Sequence, residues 1–387
     1  MARILLGWEL GAGRGHAVKL ARLATALREA GYEPIAAVQA ISAMPAEIEA
    51  WQAPLWPGMI APLARPAAAP PATMGDILAI LGLSDAEAMR ALIAAWDKML
   101  VAFRPDAVCA EFAPALMLAA RGRIPVVALG TGFSLPPPRL PAFPSLTGKP
   151  AAWNERGLLA GLNRALAANG REPLDRLPAL FAADRTIAAV FAEFDPYRSS
   201  RVEPQGAPSL SAAVPFSDEK GEEVFVYLSG VRARPRALWQ GLSASGLKVR
   251  VCDPALGHAE AEALEQAGLT IERRPVPIAR IVERSRLLIS FGGMGLVTSA
   301  LLAGLPQIVL PHDIEKALTG IALEITGLGR SLPLDALDAA GFAAMLCACF
   351  EDEPLADQVR AAVPGFAARA ARSAEEETLA ALAGLVG

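Results

Sequence analysis

The chain opens with a short apolar run at residues 3–7 and a glycine-rich stretch, GAGRG. Leu20, Leu23, Ala24 and Leu27 then recur at i, i+3, i+4 and i+7. That spacing lines one face of an amphipathic helix, and Gly31 is its stop signal. Residues 33–39 form a second apolar run that reads as a strand. The sum is a β-loop-α-β opening, the unit from which parallel sheets are wound.

The alternation continues along the chain. Residues 85–103 read as helix, 104–112 as turn and strand, 114–121 as helix, 124–133 as strand and 158–168 as helix; 186–197 closes the series. Residues 41–75 are rich in proline and alanine, and the stretch APLARPAAAPPA at 61–72 suits neither a regular helix nor a central strand. They read as a long surface connection. Between 198 and 222 the composition shifts to Ser, Pro, Gly, Glu and Lys, which marks a linker. A second α/β series follows, with strands at 223–230, 247–253, 269–275, 286–293 and 306–311, and the tail 367–385 reads as a charged amphipathic helix. The pattern predicts an N-terminal domain 1–197, a linker 198–222, a C-terminal domain 223–366 and a final helix 367–387. Both domains are expected to be Rossmann-like, with doubly wound parallel sheets, facing a cleft at the carboxyl ends of their strands.

Residues 287–311 carry no charge over a length that can span a bilayer. Gly292, Gly293, Gly295, Gly304 and Pro306 interrupt the stretch, and its character changes from strand-like to helix-like and back. A buried strand–helix–strand unit accounts for this better than a lipid-facing helix. The run at residues 4–6 is too short for a secretory leader, and Glu9 breaks it. The expectation is a cytoplasmic protein without a transmembrane segment, peripheral membrane contact being left open.

Composition narrows the functional classes. Of 387 residues, 53% are apolar and 20% charged, which suffices for two cores and argues against disorder. A formal charge of −4 disfavours nucleic acid as a partner. Cys109, Cys252, Cys347 and Cys349 form no C-x-x-C pair, so they read as buried thiols, and neither a metal nor a cofactor is expected.

Two glycine-rich loops carry the candidate chemistry. GAGRGH, residues 11–16, lacks the G-K-[ST] of a phosphate loop. It also lacks the spacing of a dinucleotide fingerprint, and the second strand ends near Gln39 rather than at an acid. What remains is a tight turn feeding a helix start, where unpaired N–H groups favour a negative or polar ligand group. His16, one of three histidines, stands at that point. The second loop lies in LLISFGGMGLVTSALLAGLPQIVLPHDIEK, residues 287–316: strand, glycine turn, helix, a G-x-P turn and strand.

This second segment resembles the donor-binding segment of the two-domain GT-B glycosyltransferases that use nucleotide sugars, among them UDP-glucosyltransferases and macrolide glycosyltransferases. Gly292, Gly293 and Gly295 match the family's turn, AGLP at 303–306 the turn before the last strand, and Pro311 with Glu315 its end. The opening GWELGAGRGHAVKLARLATALREAGYEP, the strand RPDAVCAEF and the stretch FAEFDPY resemble further family segments, in the same order.

The resemblance implies an inverting transfer of a sugar to a hydroxyl of a small acceptor, with no metal. His16 matches the general base and Glu111 the carboxylate that orients it. It implies a donor seat at Gly13, Gly15, Ser229, Gly230, Phe291, Gly292, Gly293, Gly295, Glu315 and Lys316. Trp51, Trp56, Thr131 and Phe133 fall on the acceptor side, where apolar loops favour a hydrophobic acceptor; the two tryptophans read either as ligand platforms or as pins that hold their loop. The family's histidine before the glycine pair is Phe291 here, its ribose-gripping carboxylate falls on Ser299, and the Gln after the acid is Lys316. Each change removes a polar contact worth ~1 kcal/mol. The alternative reading is therefore a catalytically inactive GT-B binding protein with a degenerate donor site.

Overall fold

The computed structural model describes residues 1–11, 14–61, 70–210, 212–216, 221–229 and 234–386. The chain divides into two units, Met1–Ser209 with Arg372–Gly387, and Leu210–Ala371. The change from one to the other falls inside the stretch read as a linker.

The first unit holds a six-stranded sheet in the order β3-β2-β1-β4-β5-β6. The strands are β1 (Arg3–Trp8), β2 (Glu33–Val38), β3 (Glu49–Gln52), β4 (Ala107–Glu111), β5 (Val126–Gly130) and β6 (Arg185–Ala188). All its pairings are parallel. The helix Arg14–Glu29 buries Leu20, Leu23, Ala24 and Leu27 against β1 and β2, as their spacing predicts. It stops at Gly31, whose φ is +83°.

The second unit repeats the plan. β7 (Glu223–Tyr227), β8 (Lys248–Cys252), β9 (Thr270–Ile271), β10 (Ser285–Ser290), β11 (Gln307–Val309) and β12 (Gly329–Ser331) lie in the order β12-β11-β10-β7-β8-β9, again all parallel. In both sheets the first strand of the unit sits beside the fourth, so the winding reverses between β1 and β4 and between β7 and β10. The uncharged stretch 287–311 folds into most of β10, the helix Met294–Ala303 and β11. Among the described residues no helix is long and apolar enough to cross a membrane.

Several local expectations are corrected. The connection 41–75 contains β3, which pairs in register with β2, Ala37 opposite Trp51. The strand read at 186–197 is only four residues long before the chain turns at Ala192–Phe194. The tail helix is two helices, Glu353–Arg369 and Ala374–Val386. Ser373 separates them: its hydroxyl accepts from Glu376 N (3.1 Å) while the Glu376 carboxylate accepts from Ser373 N (2.7 Å), a reciprocal cap that starts a new helix.

The last helix belongs to the first unit. Leu382 is fully buried in the cluster formed by Ile4, Leu6, Leu20 and Ile187, and the Glu377 carboxylate accepts from Ala207 N at 3.2 Å. Replacing Leu382 by Ala leaves a void in that core, and such truncations cost about 2–5 kcal/mol. The expected outcome is a lower urea midpoint for unfolding of the first unit; an unaltered midpoint would show that the helix adds nothing to its core.

Candidate functional site

In a parallel sheet every strand delivers its carboxyl end to the same edge, and ligands of doubly wound folds bind where the winding reverses. In the first unit that point lies between β1 and β4, whose last residues, Trp8 and Glu111, are register partners. The Glu111 carboxylate is almost fully buried. His16 sits in the first turn of Arg14–Glu29, its Nδ1 2.8 Å from Glu111 Oε1. Lys19, one helical turn on, donates from Nζ to the same oxygen at 2.7 Å. Burial pushes the Glu111 carboxyl up, but the Lys19 charge and the His16 bond outweigh it and leave it below its usual value.

The rest of the loop fixes the imidazole. The Trp8 indole stacks on it, ring centroids 5.4 Å apart and planes 19° off parallel. Gly11 has φ +87°, and a Cβ there would fall 2.3 Å from His16 Nε2, so only glycine leaves room for the ring. Gln39, just past β2, donates to the carbonyls of Glu9 (2.6 Å) and Gly11 (3.3 Å). Gly15 is exposed in the first helical turn; Gly13 lies outside the described residues.

Beneath this loop Glu9 is wholly buried. Its carboxylate accepts from Trp56 Nε1 (2.8 Å), Ala115 N (2.9 Å) and Leu116 N (2.6 Å), and so caps the helix Pro114–Ala120 from another segment. Trp56 pins its loop to the core: its ring is buried and its N–H is engaged by Glu9. Trp51 stays 48% exposed on β3, its Nε1 donating to Glu49 (2.8 Å) and its ring tilted against Phe103. Thr131 and Phe133 lie in the turn after β5, where Thr131 N donates to Ser134 Oγ at 3.0 Å.

In the second unit the chain leaves β10 through Phe291 and turns at Gly292. There φ is +85° and a Cβ would lie 2.6 Å from Val309 Cγ1, so glycine is required. Gly292 N donates to Ser290 Oγ (3.1 Å). Gly293 starts the helix Met294–Ala303 with no capping side chain, and Gly295 is exposed in its first turn. The amides of that turn have no partner within the helix. Ser299 donates back to the Gly295 carbonyl at 2.8 Å.

Phe291 is buried, packed edge-on against the His312 ring (5.0 Å), with the Arg234 guanidinium over its face at 5.5 Å. Glu315 and Lys316 form an ion pair at the start of Ile314–Thr326, which Asp313 caps. Burial alone would lower the Lys316 pKa, but Glu315 and Asp313 raise it. Burial depresses the His312 pKa; Asp313 pulls it back, and Lys316 and Arg234 press it down further. Ser229 is exposed just after β7, and Gly230 lies outside the described residues. Among the described residues no group of three or more His, Cys, Asp or Glu is placed to hold a metal ion.

Sequence reasoning missed Lys19, Glu9, Arg234 and the partner of His312. Lys19 left a signal, its i+3 spacing from His16 on one helical face. Glu9, Arg234 and the Phe291–His312 contact left none, since those partners are remote in sequence, whereas Asp313, 3.5 Å from His312 Nδ1, is its neighbour in the chain.

Residues 269–373 match the family described as Erythromycin biosynthesis protein CIII-like, C-terminal domain. The chain is 30% identical over 136 residues to NDP-glycosyltransferase YjiC of Bacillus subtilis (strain 168), a match spanning 35% of this chain and 32% of that relative. Its fold is similar to that of CalG4, the calicheamicin glycosyltransferase, with a TM-score of 0.73 at 18% identity over 100% of this chain and 99% of the other. It is likewise similar to the spinosyn rhamnosyltransferase SpnG complexed with thymidine diphosphate, with a TM-score of 0.65 at 16% identity over 99% and 100%. The resemblance read from the motifs is borne out, and the fold is GT-B.

The Glu9 anchor has a measurable signature. Burial pushes its carboxyl up from 4.5 to about 7, against the pull of its backbone and indole donors. The unfolded chain loses this proton near 4.5 and the folded chain keeps it to about 7, so stability falls as pH rises through that window. The expected loss is on the order of 3 kcal/mol. Urea unfolding of wild type and Glu9→Gln at pH 5 and pH 8 isolates the effect: the wild-type advantage should shrink at pH 8, and a difference independent of pH would contradict it.

Proposed function

We propose that this GT-B protein is an inverting glycosyltransferase that moves a sugar from a nucleotide-sugar donor to a hydroxyl of a small acceptor, with His16 as general base. The observation that carries the reading is the 2.8 Å contact between His16 Nδ1 and the buried Glu111 carboxylate. A base of this kind needs one nitrogen held and the other free for substrate. Glu111 holds Nδ1 and Nε2 takes the acceptor proton. The freed oxygen attacks the anomeric carbon as the bond from that carbon to the diphosphate oxygen breaks. The proton rests on the imidazole, whose new charge the ionised Glu111 stabilises.

The donor belongs to the second unit. Its diphosphate lies at the start of Met294–Ala303, where the free amides of Gly293 and Gly295 and the helix dipole meet the charge that grows on the leaving group. The Ser229 hydroxyl adds a donor, and Glu315 accepts from sugar hydroxyls while Lys316 balances it. The acceptor faces Trp51, Thr131 and Phe133 in the first unit, surroundings that suit an apolar molecule bearing one reactive hydroxyl.

Assay over a panel of UDP- and dTDP-sugars, with product detected by mass, tests this directly. Loss of an oriented general base costs roughly 10²–10⁴ in rate, and His16→Ala should lose that much on the preferred donor. Equal rates would remove His16 from the mechanism. A wild-type protein that binds nucleoside diphosphates but transfers no sugar would favour the inactive alternative.

A further inference from the structure

Arg234 combines burial, charge and an open valence. Its side chain is 5% exposed. Nε and Nη2 donate to the two oxygens of Asp253 at 2.7 and 2.8 Å, and Asp253 is itself buried. That bidentate pairing uses one edge of the planar guanidinium, so Nη1 points away from Asp253. Nη1 is buried and has no hydrogen-bond partner among the described residues. A buried charged donor left without an acceptor is costly; Arg22, Arg171 and Arg201 each carry one too, and that of Arg234 is set apart by its place over Phe291, next to the glycine turn.

The surroundings say what the acceptor is. The guanidinium lies over the Phe291 ring, one residue before the glycine turn. The exposed helix start at Gly293 and Gly295 follows that turn, and it has no capping side chain. Arg234 and Lys316 are both close enough to His312 to lower its proton affinity. Two cationic side chains, Arg234 paired with Asp253 and Lys316 paired with Glu315, thus stand near Phe291 and the uncapped helix start that follows it, with Phe291 as the platform under the arginine. The geometry points to Arg234 as an anion-binding residue of the second unit, its Nη1 donating to a phosphate oxygen of a nucleoside diphosphate held at the Gly292–Gly295 turn. In this arrangement Phe291 does not bind phosphate; it fixes the plane of the arginine that does. The inference rests on reading that turn as the diphosphate seat.

Calorimetric titration with UDP, inorganic pyrophosphate and uridine tests it. Arg234→Met combined with Asp253→Asn removes both members of the buried pair, so neither charge is left alone, and a melting curve checks the fold. A charge-assisted hydrogen bond is worth about tenfold or more in affinity. The double variant should lose about that factor for UDP and pyrophosphate and keep its affinity for uridine. Equal UDP and pyrophosphate affinities in the folded variant would overturn the assignment. Should the variant not fold, a crystal of wild type grown with pyrophosphate decides: a phosphate oxygen within hydrogen-bond distance of Nη1 upholds the inference, and phosphate bound away from it refutes it. Wild type that binds pyrophosphate but no nucleoside diphosphate would keep the arginine's role and end the nucleotide-sugar reading. Wild type that binds neither would end both.

Discussion

Parallel pairing is the constraint on which everything else depends. A strand in a parallel sheet cannot be followed by a hairpin, so each is followed by a crossover, and all carboxyl ends gather at one edge. Where the winding reverses, two crossovers leave in opposite directions and open a crevice. In the first unit the start of the helix after β1 supplies His16 and the end of β4 supplies Glu111, the two strands that flank the reversal. In the second unit the segment after β7 supplies Ser229 and Arg234, and the turn after β10 supplies Phe291 to Gly295. The same topology, used twice, sets the His16–Glu111 pair in one unit and a glycine-lined helix start beside Phe291 and Arg234 in the other.

Each site then solves a burial problem. Glu111 would be expensive as a lone buried carboxylate, and His16 and Lys19 share one of its oxygens to keep it ionised. Asp253 and Arg234 neutralise one another and leave a single guanidinium nitrogen unused. Glu9 takes the other course: with only neutral N–H donors around it, it keeps its proton to about pH 7. Three buried acids thus meet three fates, decided by whether a cation lies within reach.

The central strands were legible because burial on both faces writes them as apolar runs, as in LLIS of β10 or VVALG of β5. Two of the edge strands were not, whereas the edges β6 and β9 overlap the stretches read as strands at 186–197 and 269–275. EAWQ of β3 and GRS of β12 carry no alternation, and their extended form comes from the neighbouring strand's backbone. The glycine turns and His16 could be read because they are contiguous motifs. Trp56 was ambiguous in sequence, and its partner Glu9, 47 residues away, resolves it. Arg234 acquires its meaning from a partner 19 residues distant, which no local spacing records; the i+3 spacing of Lys19 from His16 was legible, but not the Glu111 oxygen, 92 residues away from Lys19, that both engage.

The substitution of Phe291 for a histidine reads from sequence alone as a loss. In the fold Phe291 carries the Arg234 guanidinium over its ring at 5.5 Å, so a positive charge stands beside the glycine turn. Direct displacement assisted by a fixed base leaves a stereochemical record in the product. Proton NMR of the product formed from an α-linked nucleotide sugar is the most direct test of the account. A β-configured glycoside is the predicted result, and an α-configured one would contradict it.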